Sequence, residues 1–378
     1  MNIVLTVLRN PLFPFLIKAG LTDPLLDLYW GKNTKNEWIA IENTGFIKKP
    51  KSIWFEPTMR CNLNCVFCHQ QKRRELQHKE MSLKQIDEFL TKARNWGINL
   101  IEMVGGEIFV RKDIFEILDL IEEKQMKVKL GTNGTLLNKK GRNRIKRYKC
   151  IESIAVSIDG RPETHNKLRN SSIAFQKAVE SLRDLSQGKF LTGIYSLLFP
   201  GDTDTQRFLI ELSKKLKTDR LTFMPEMFYS PEDIVKTRRY LSLLPEENIF
   251  VETKRLENIE EYSKKIVDSI KNIRDLRRKE RVFASIFPRV SYKYPLEFLT
   301  NSLSQNKRLI CRHFYSLTVI ENGDVLICPF IHKKAGNVLE EDIEDIWNNK
   351  IIRQLRRKIL KANMLPICKH CCSLDYII

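Results

Sequence analysis

The chain has 378 residues, 42% hydrophobic and 29% charged, with nine cysteines and a formal net charge of +19. That is enough apolar material for two domains, or for one large domain with appendages, and it excludes wholesale disorder. An odd cysteine count with no readable secretory signal argues against a disulfide framework and for metal binding in a reducing compartment, so a cytoplasmic protein is expected.

Residues 1–50 read as an apolar N-terminal arm, interrupted by Arg9, Pro11, Pro14 and Lys18. Its apolar side chains (Phe13, Phe15, Leu16, Ile17, Leu25, Leu26, Leu28, Tyr29 and Trp30) suit packing on the main domain. The other reading is peripheral membrane contact through the same residues. From residue 51 short apolar runs alternate with helical patterns. Strands are expected at Ser52–Glu56, Asn99–Val104, Lys127–Gly131, Cys150–Ile158, 190–198 and 219–224. Helices are expected at Ser82–Trp96, Ile114–Lys124, 139–147, 172–186 and 203–217. Six strands with crossover helices predict an α/β fold, a partial (β/α)6 TIM-like barrel over residues 51–227, with its chemistry at the C-terminal strand ends. Residues 228–306 read as a helical insertion or linker without strands, with helices at Leu241–Tyr262 and Ile266–Val282. Residues 307–378 form a small cysteine-rich C-terminal domain that opens with a hairpin, Leu317–Cys328, turning at Asn322-Gly323.

The loop after the first strand carries Cys61, Cys65 and Cys68 in a C-x3-C-x2-C spacing. Three thiolates this close can wrap one face of an iron–sulfur cluster and leave one iron open. The rival is a zinc site with His69 as fourth ligand. The segment, with Phe67 before the third cysteine, resembles the signature loop of the radical S-adenosylmethionine (SAM) superfamily. The resemblance implies a 4Fe–4S cluster on Cys61, Cys65 and Cys68, and SAM chelated by the open iron with Phe67 near its adenine. Reductive cleavage would then give a 5′-deoxyadenosyl radical that abstracts hydrogen from substrate. An external electron donor such as flavodoxin or ferredoxin is expected with it.

Later strand ends carry further marks. Gly105-Gly106-Glu107 follows the second strand; paired glycines allow close backbone approach and the carboxylate can take an ammonium. It resembles the family's GGE-type motif for the methionine amino group, with Ile108 where proline is usual. Asn133 lies in a TNG segment similar to the one that lines the same cavity. Ser157 and Asp159 end the fourth strand and Arg169 follows. By resemblance the serine meets the ribose and the arginine grips the methionine carboxylate, a task that suits a bidentate guanidinium. His165 reads as structural and Cys150 as core. The resemblance covers about residues 51–226, just under half the chain.

The tail carries Cys311, Cys328, Cys368, Cys371 and Cys372. A hairpin cysteine with a distant C-x2-C can close a four-thiolate site, with zinc the rival. The C-x11-G-x4-C piece resembles the start of a SPASM domain, shortened toward the twitch variant. The resemblance implies one auxiliary iron–sulfur cluster, 4Fe–4S, on Cys311, Cys328, Cys368 and Cys371, with Cys372 spare or replacing Cys371.

The positive charge reads first as solvated helix faces and second as attraction to an anionic partner; no nucleic acid is expected. The leading functional reading is hydrogen abstraction from a small-molecule, sugar or lipid-linked substrate, extended to a two-electron oxidation by the auxiliary cluster. A SPASM-type peptide maturase and a zinc-binding scaffold are the alternatives. Glu226, at the sixth strand's end, is a positional choice for a general base.

Overall fold

In a computed structural model, residue 17 and residues 34–75, 79–227, 229–244, 247–251, 258–300 and 302–376 are described. The apolar runs become strands β1 (Ser52–Phe55), β2 (Leu100–Met103), β3 (Lys127–Thr132), β4 (Ile151–Ser157), β5 (Leu191–Leu198) and β6 (Arg220–Pro225). Each pairs in parallel with the next, as strands fed by crossover helices must. Ile53, Phe55, Ile101, Met103 and Val128 are buried in the core this sheet forms with its helices.

The crossover helices follow from local signals. Ser82 caps helix Leu83–Asn95 in a capping box with Gln85, and Ile86, Phe89, Leu90 and Ala93 recur on the buried face. Burying each of the larger side chains contributes on the order of 1.5–3 kcal/mol. The result is the expected partial TIM-like barrel, with strand ends that share one mouth.

Two differences from the sequence reading bear on the site. The segment 228–306 is not strand-free: β7 (Ala284–Ile286) extends the sheet in parallel beside β6. The expected helix Leu241–Tyr262 is interrupted: Leu241 ends a helix Pro231–Leu241 and Ile259–Tyr262 begin a helix Ile259–Glu280, while the described residues between them, 242–244, 247–251 and 258, are not helical. Ile249 instead forms a bridge with Ile331, and Phe250 donates its N–H to the Phe330 carbonyl.

The tail joins the same sheet. Strands β8 (Leu309–Cys311), β9 (Ser316–Val319), β10 (Asp324–Cys328) and β11 (Ile331–Asn337) follow, and β12 (Leu374–Tyr376) closes the chain's strand order. The turn at Asn322-Gly323 forms as expected, with Gly323 at φ +87°, where a side chain would strain. Beyond that, β9 lies parallel to β1, so the sheet runs β11-β10-β9-β1 through to β7. Strands β12 and β8 pair separately, with Leu374 opposite Cys311.

Part of the arm also rests on the tail. Helix Thr34–Thr44 buries Trp38 and Ile41, and the Trp38 indole donates to the Leu309 carbonyl at 3.2 Å. Ile17 is buried, whereas Phe13, Phe15, Leu16, Leu25, Leu26, Leu28, Tyr29 and Trp30 lie outside the described residues. Among the described residues no helix is long and apolar enough to cross a membrane.

One buried ionic group locks tail to barrel. Arg73 binds Glu56 at the end of β1 and, at 3.1 Å, Glu321 in the β9–β10 turn, all three fully shielded from solvent. The Trp54 indole donates to Glu56 at 2.9 Å and satisfies its other oxygen. Removing one member of such a group strands the remaining charges in low dielectric. Arg73→Met is therefore expected to cost about 3–5 kcal/mol in urea unfolding, against less than about 0.5 kcal/mol for its exposed neighbour Lys72→Met. Equal midpoints for the two variants would contradict the assignment.

Candidate active site

The three cysteines of the first cluster lie at the C-terminal end of β1. None of the nine cysteines is in a disulfide. Each sulfur of the triplet receives a donor: Leu63 N–H reaches Cys61 at 3.5 Å, an Arg169 nitrogen reaches Cys65 at 3.8 Å, and an Arg74 nitrogen reaches Cys68 at 2.9 Å. Donors aimed at all three sulfurs fit ligands that carry negative charge, as cluster-bound thiolates do. Burial pushes the Cys61 and Cys65 thiols up, with Arg169 opposing it at Cys65. Ligation by a metal would release those protons. Among the described residues no three His, Cys, Asp or Glu side chains are grouped as a single-ion site. The His69 ring, the expected fourth ligand of the zinc reading, packs edge-on against Phe330 with centroids 5.2 Å apart. Burial, with Arg73 and Arg74 adding to it, lowers the pKa of His69 to about 4.

The glycine pair approaches the chain itself. Gly106 N–H donates to the Thr58 carbonyl at 3.0 Å and Glu107 N–H to the Arg60 carbonyl at 2.9 Å. A Cβ on Gly106 would lie 2.3 Å from the Arg60 oxygen and 2.4 Å from that of Met59. Gly105, at φ +146°, would place one 2.4 Å from the Thr58 oxygen. The β2 loop thus sets the position of the segment that delivers Cys61.

Glu107 has a structural role besides the one expected from the sequence. Its buried carboxylate accepts from Thr132 Oγ1 at 2.8 Å, Asn133 N–H at 2.6 Å and Phe109 N–H at 3.1 Å. It braces the β2 and β3 ends together, and burial raises its pKa. Asn133 passes the brace on, donating to the Asn62 side chain between the first two cysteines at 3.0 Å.

From β4, Asp159 binds Arg169 at 2.7 Å and accepts from Leu197 N–H at 3.1 Å. Burial alone would lift the Asp159 carboxyl, but Arg169 and His165 hold it below the usual carboxylate range. His165 accepts the Asp159 N–H through Nδ1 at 3.0 Å, the structural role expected of it. The Arg169 guanidinium lies over the Phe67 ring at 5.0 Å from the centroid, so Phe67, Cys65, Asp159 and Arg169 form one continuous wall. Ser157 is half-buried at the end of the same strand, β4. Glu226 follows β6, half-buried, and its charge acts on Tyr262.

The tail cysteines form a second group. Cys311 ends β8, Cys328 ends β10, Cys368 lies in a short turn of helix at Pro366–Cys368, and Cys371 and Cys372 precede β12. Their thiols influence one another electrostatically, Cys311 sensing Cys328, Cys368 and Cys372. Burial pushes Cys328 up to about 11 and Cys368 up to about 12. Backbone N–H groups of Phe330 and Ser373 donate to Cys328 and Cys371, both at 3.4 Å, so these sulfurs also fit cluster thiolates. Cys372 faces the same group, its thiol drawn below the ordinary value by a hydrogen bond from Cys371. Cys150 is a core residue, as expected.

Several residues of the site went unread in the sequence: Arg74, Asn62, Met227 and Tyr229. Buried Tyr229 lies among Cys371, Cys372, Cys328 and Cys368, and Cys372 N–H reaches Met227 sulfur at 3.5 Å. The segment after β6 therefore touches the tail cysteines. Only the basic run Lys72-Arg73-Arg74 beside the first cluster hinted at any of these.

The comparisons bear on the same residues. The family profile of the radical SAM superfamily matches residues 55–212, and that of the SPASM iron–sulfur cluster-binding domain matches residues 311–372. The AdoMet-dependent heme synthase of Methanosarcina barkeri is 25% identical over 327 residues, 85% of this chain and 89% of that protein. Fe-coproporphyrin III synthase of the same organism is 27% identical over 205 residues, and the aligned part spans 54% of this chain and only about half, 51%, of that protein. The crystal structure of Streptococcus suis SuiB bound to precursor peptide SuiA superposes with a TM-score of 0.63 at 17% identity, covering 89% of this chain and 74% of that one.

The glycine contact yields a test. Gly106→Ala is expected to lower the iron bound at the first cysteine group and to leave the tail group's iron in place, read as iron and sulfide per chain with EPR of each centre. Full occupancy of both centres would contradict the backbone contact's role.

Proposed function

Because the chain belongs to the radical SAM superfamily and ends in a SPASM iron–sulfur cluster-binding domain, we propose that it oxidises a small anionic molecule by two electrons. The bound 4Fe–4S cluster supplies the electron that cleaves SAM to methionine and the 5′-deoxyadenosyl radical. That radical takes a hydrogen atom from substrate, giving 5′-deoxyadenosine and a substrate radical. Cys311, Cys328, Cys368 and Cys371 would hold a second centre that could take one electron from the substrate radical as that radical releases a proton, leaving an oxidised product.

One observation carries this reading: the two cysteine groups meet one barrel mouth, the first at the end of β1 and the second against Met227 and Tyr229 beyond β6. A substrate between them would have a radical source on one side and an electron acceptor on the other. The wall of Cys65, Phe67, Asp159 and Arg169 would orient SAM, with Ser157 toward its ribose. Gly105, Gly106, Glu107 and Asn133 would act by holding the loop that carries the cluster. Cys311, Cys328 and Cys368 would ligate the tail centre, with Cys371 as the fourth ligand and Cys372 beside it.

A small anionic substrate is favoured by the charge of +19 and by alignment with the heme synthase along most of both chains. The rival, a peptide substrate, is motivated by SuiB and its precursor peptide.

Cys65→Ala is expected to abolish 5′-deoxyadenosine formation under dithionite, whereas Cys328→Ala retains SAM cleavage uncoupled from product; wild-type yields from Cys65→Ala would sink the reading. Substrate class is decided by deuterium transfer into 5′-deoxyadenosine from uniformly deuterated cell extract, separated by size. Transfer from the small, protease-resistant fraction is expected. Transfer that protease treatment destroys would point to the peptide instead.

A further inference from the structure

An unbroken path joins the two cysteine groups. His69 is bonded directly to Cys68, and its ring stands edge-on to that of Phe330 with centroids 5.2 Å apart. Phe330 in turn donates its backbone N–H to the Cys328 sulfur at 3.4 Å. From a ligand of one centre to a ligand of the other, the path needs one peptide link, one ring contact and one hydrogen bond. The ring contact is also held rigidly. Arg73, four positions after His69, is pinned to Glu56 and Glu321, and Glu321 lies on the strand turn that leads to Cys328. Phe330 is buried, its carbonyl held by Phe250 N–H at 2.9 Å.

We infer that His69 and Phe330 form the electronic bridge between the Cys61/Cys65/Cys68 centre and the tail centre. The inference rests on the proposed oxidation and extends it. The electron that the substrate radical leaves on the Cys328 side crosses Phe330 and His69 to the Cys68 side, where it serves the next SAM cleavage. The tail centre is reoxidised by one electron and the first centre is reduced by one. Over a full cycle SAM and a two-hydrogen substrate give methionine, 5′-deoxyadenosine, oxidised product and one proton, with no net electron consumed. An external donor is then needed to start turnover, not to sustain each cycle. Aromatic character at positions 69 and 330 is what the bridge requires; packing alone would accept an aliphatic side chain.

The test uses the anaerobically reconstituted full chain without SAM or substrate. A flash of photoreduced deazaflavin injects less than one electron per chain, and the EPR signals of the two centres are followed in time. Redistribution between centres is expected to slow severalfold in Phe330→Leu and to return in Phe330→Tyr, with the iron content and midpoint potentials of both centres unchanged. His69→Leu should behave like Phe330→Leu. An unchanged rate in Phe330→Leu, or a Phe330→Tyr variant as slow as Phe330→Leu, would overturn the bridge. A wild-type protein with a single EPR centre would instead sink the two-centre reading beneath it, a result distinct from either.

Discussion

The guanidinium of Arg73, buried between Glu56 and Glu321, is the constraint on which the relation between the two cysteine groups depends. Three formal charges out of water are costly unless each is met, and here one cation meets two carboxylates while the Trp54 indole meets a remaining oxygen. The group ties together the end of β1, the helical turn after the first cysteines and the turn of the tail hairpin. The parallel pairing of β9 with β1 extends the same tie along the backbone, so the tail continues the barrel sheet. Cys328, at the end of β10, therefore stands on the same sheet as the strand that leads to Cys61, whereas Cys311 lies on the separate β8–β12 pair.

Within the barrel, each strand end holds the next. The glycine pair after β2 seats the segment before Cys61, Glu107 fastens β2 to β3, Asn133 reaches back to Asn62, and Asp159 fixes Arg169 against Cys65. Much of what the motif residues do is therefore mutual: they place the loop that carries the sulfurs, and a ligand would meet a wall already assembled. Preorganisation of this kind lets a protein direct chemistry that its cofactor supplies.

The barrel strands were legible because their apolar, β-branched runs are short and bounded by turns, and the motifs fell at their ends. Roles that depend on long-range contact were not legible. Nothing local to Gly105 and Gly106 says that the carbonyls of Thr58, Met59 and Arg60 will lie against them. Nor does anything near Glu107 reveal that its carboxylate will accept from Thr132 and Asn133. Residues Leu243, Leu244, Ile249 and Phe250 carry a helix-like spacing, but long-range pairing of Ile249 with Ile331 and of Phe250 with Phe330 overrides it. Strand β7 has only three residues, too few for a periodic signal, and exists because β6 offers an open edge. Tyr229 and Met227 reach the tail cysteines by tertiary placement alone.

The account's central claim is that Cys61, Cys65 and Cys68 hold an iron–sulfur cluster with a site open to SAM. It is tested most directly by EPR of the reduced, anaerobically purified protein titrated with SAM, beside a variant with all three cysteines changed to alanine. The account predicts that SAM alters one of two signals in the wild type, and that the variant keeps only the signal SAM leaves untouched. A SAM-responsive signal that survives in the variant, or a wild-type protein that carries stoichiometric zinc and no iron, would contradict it.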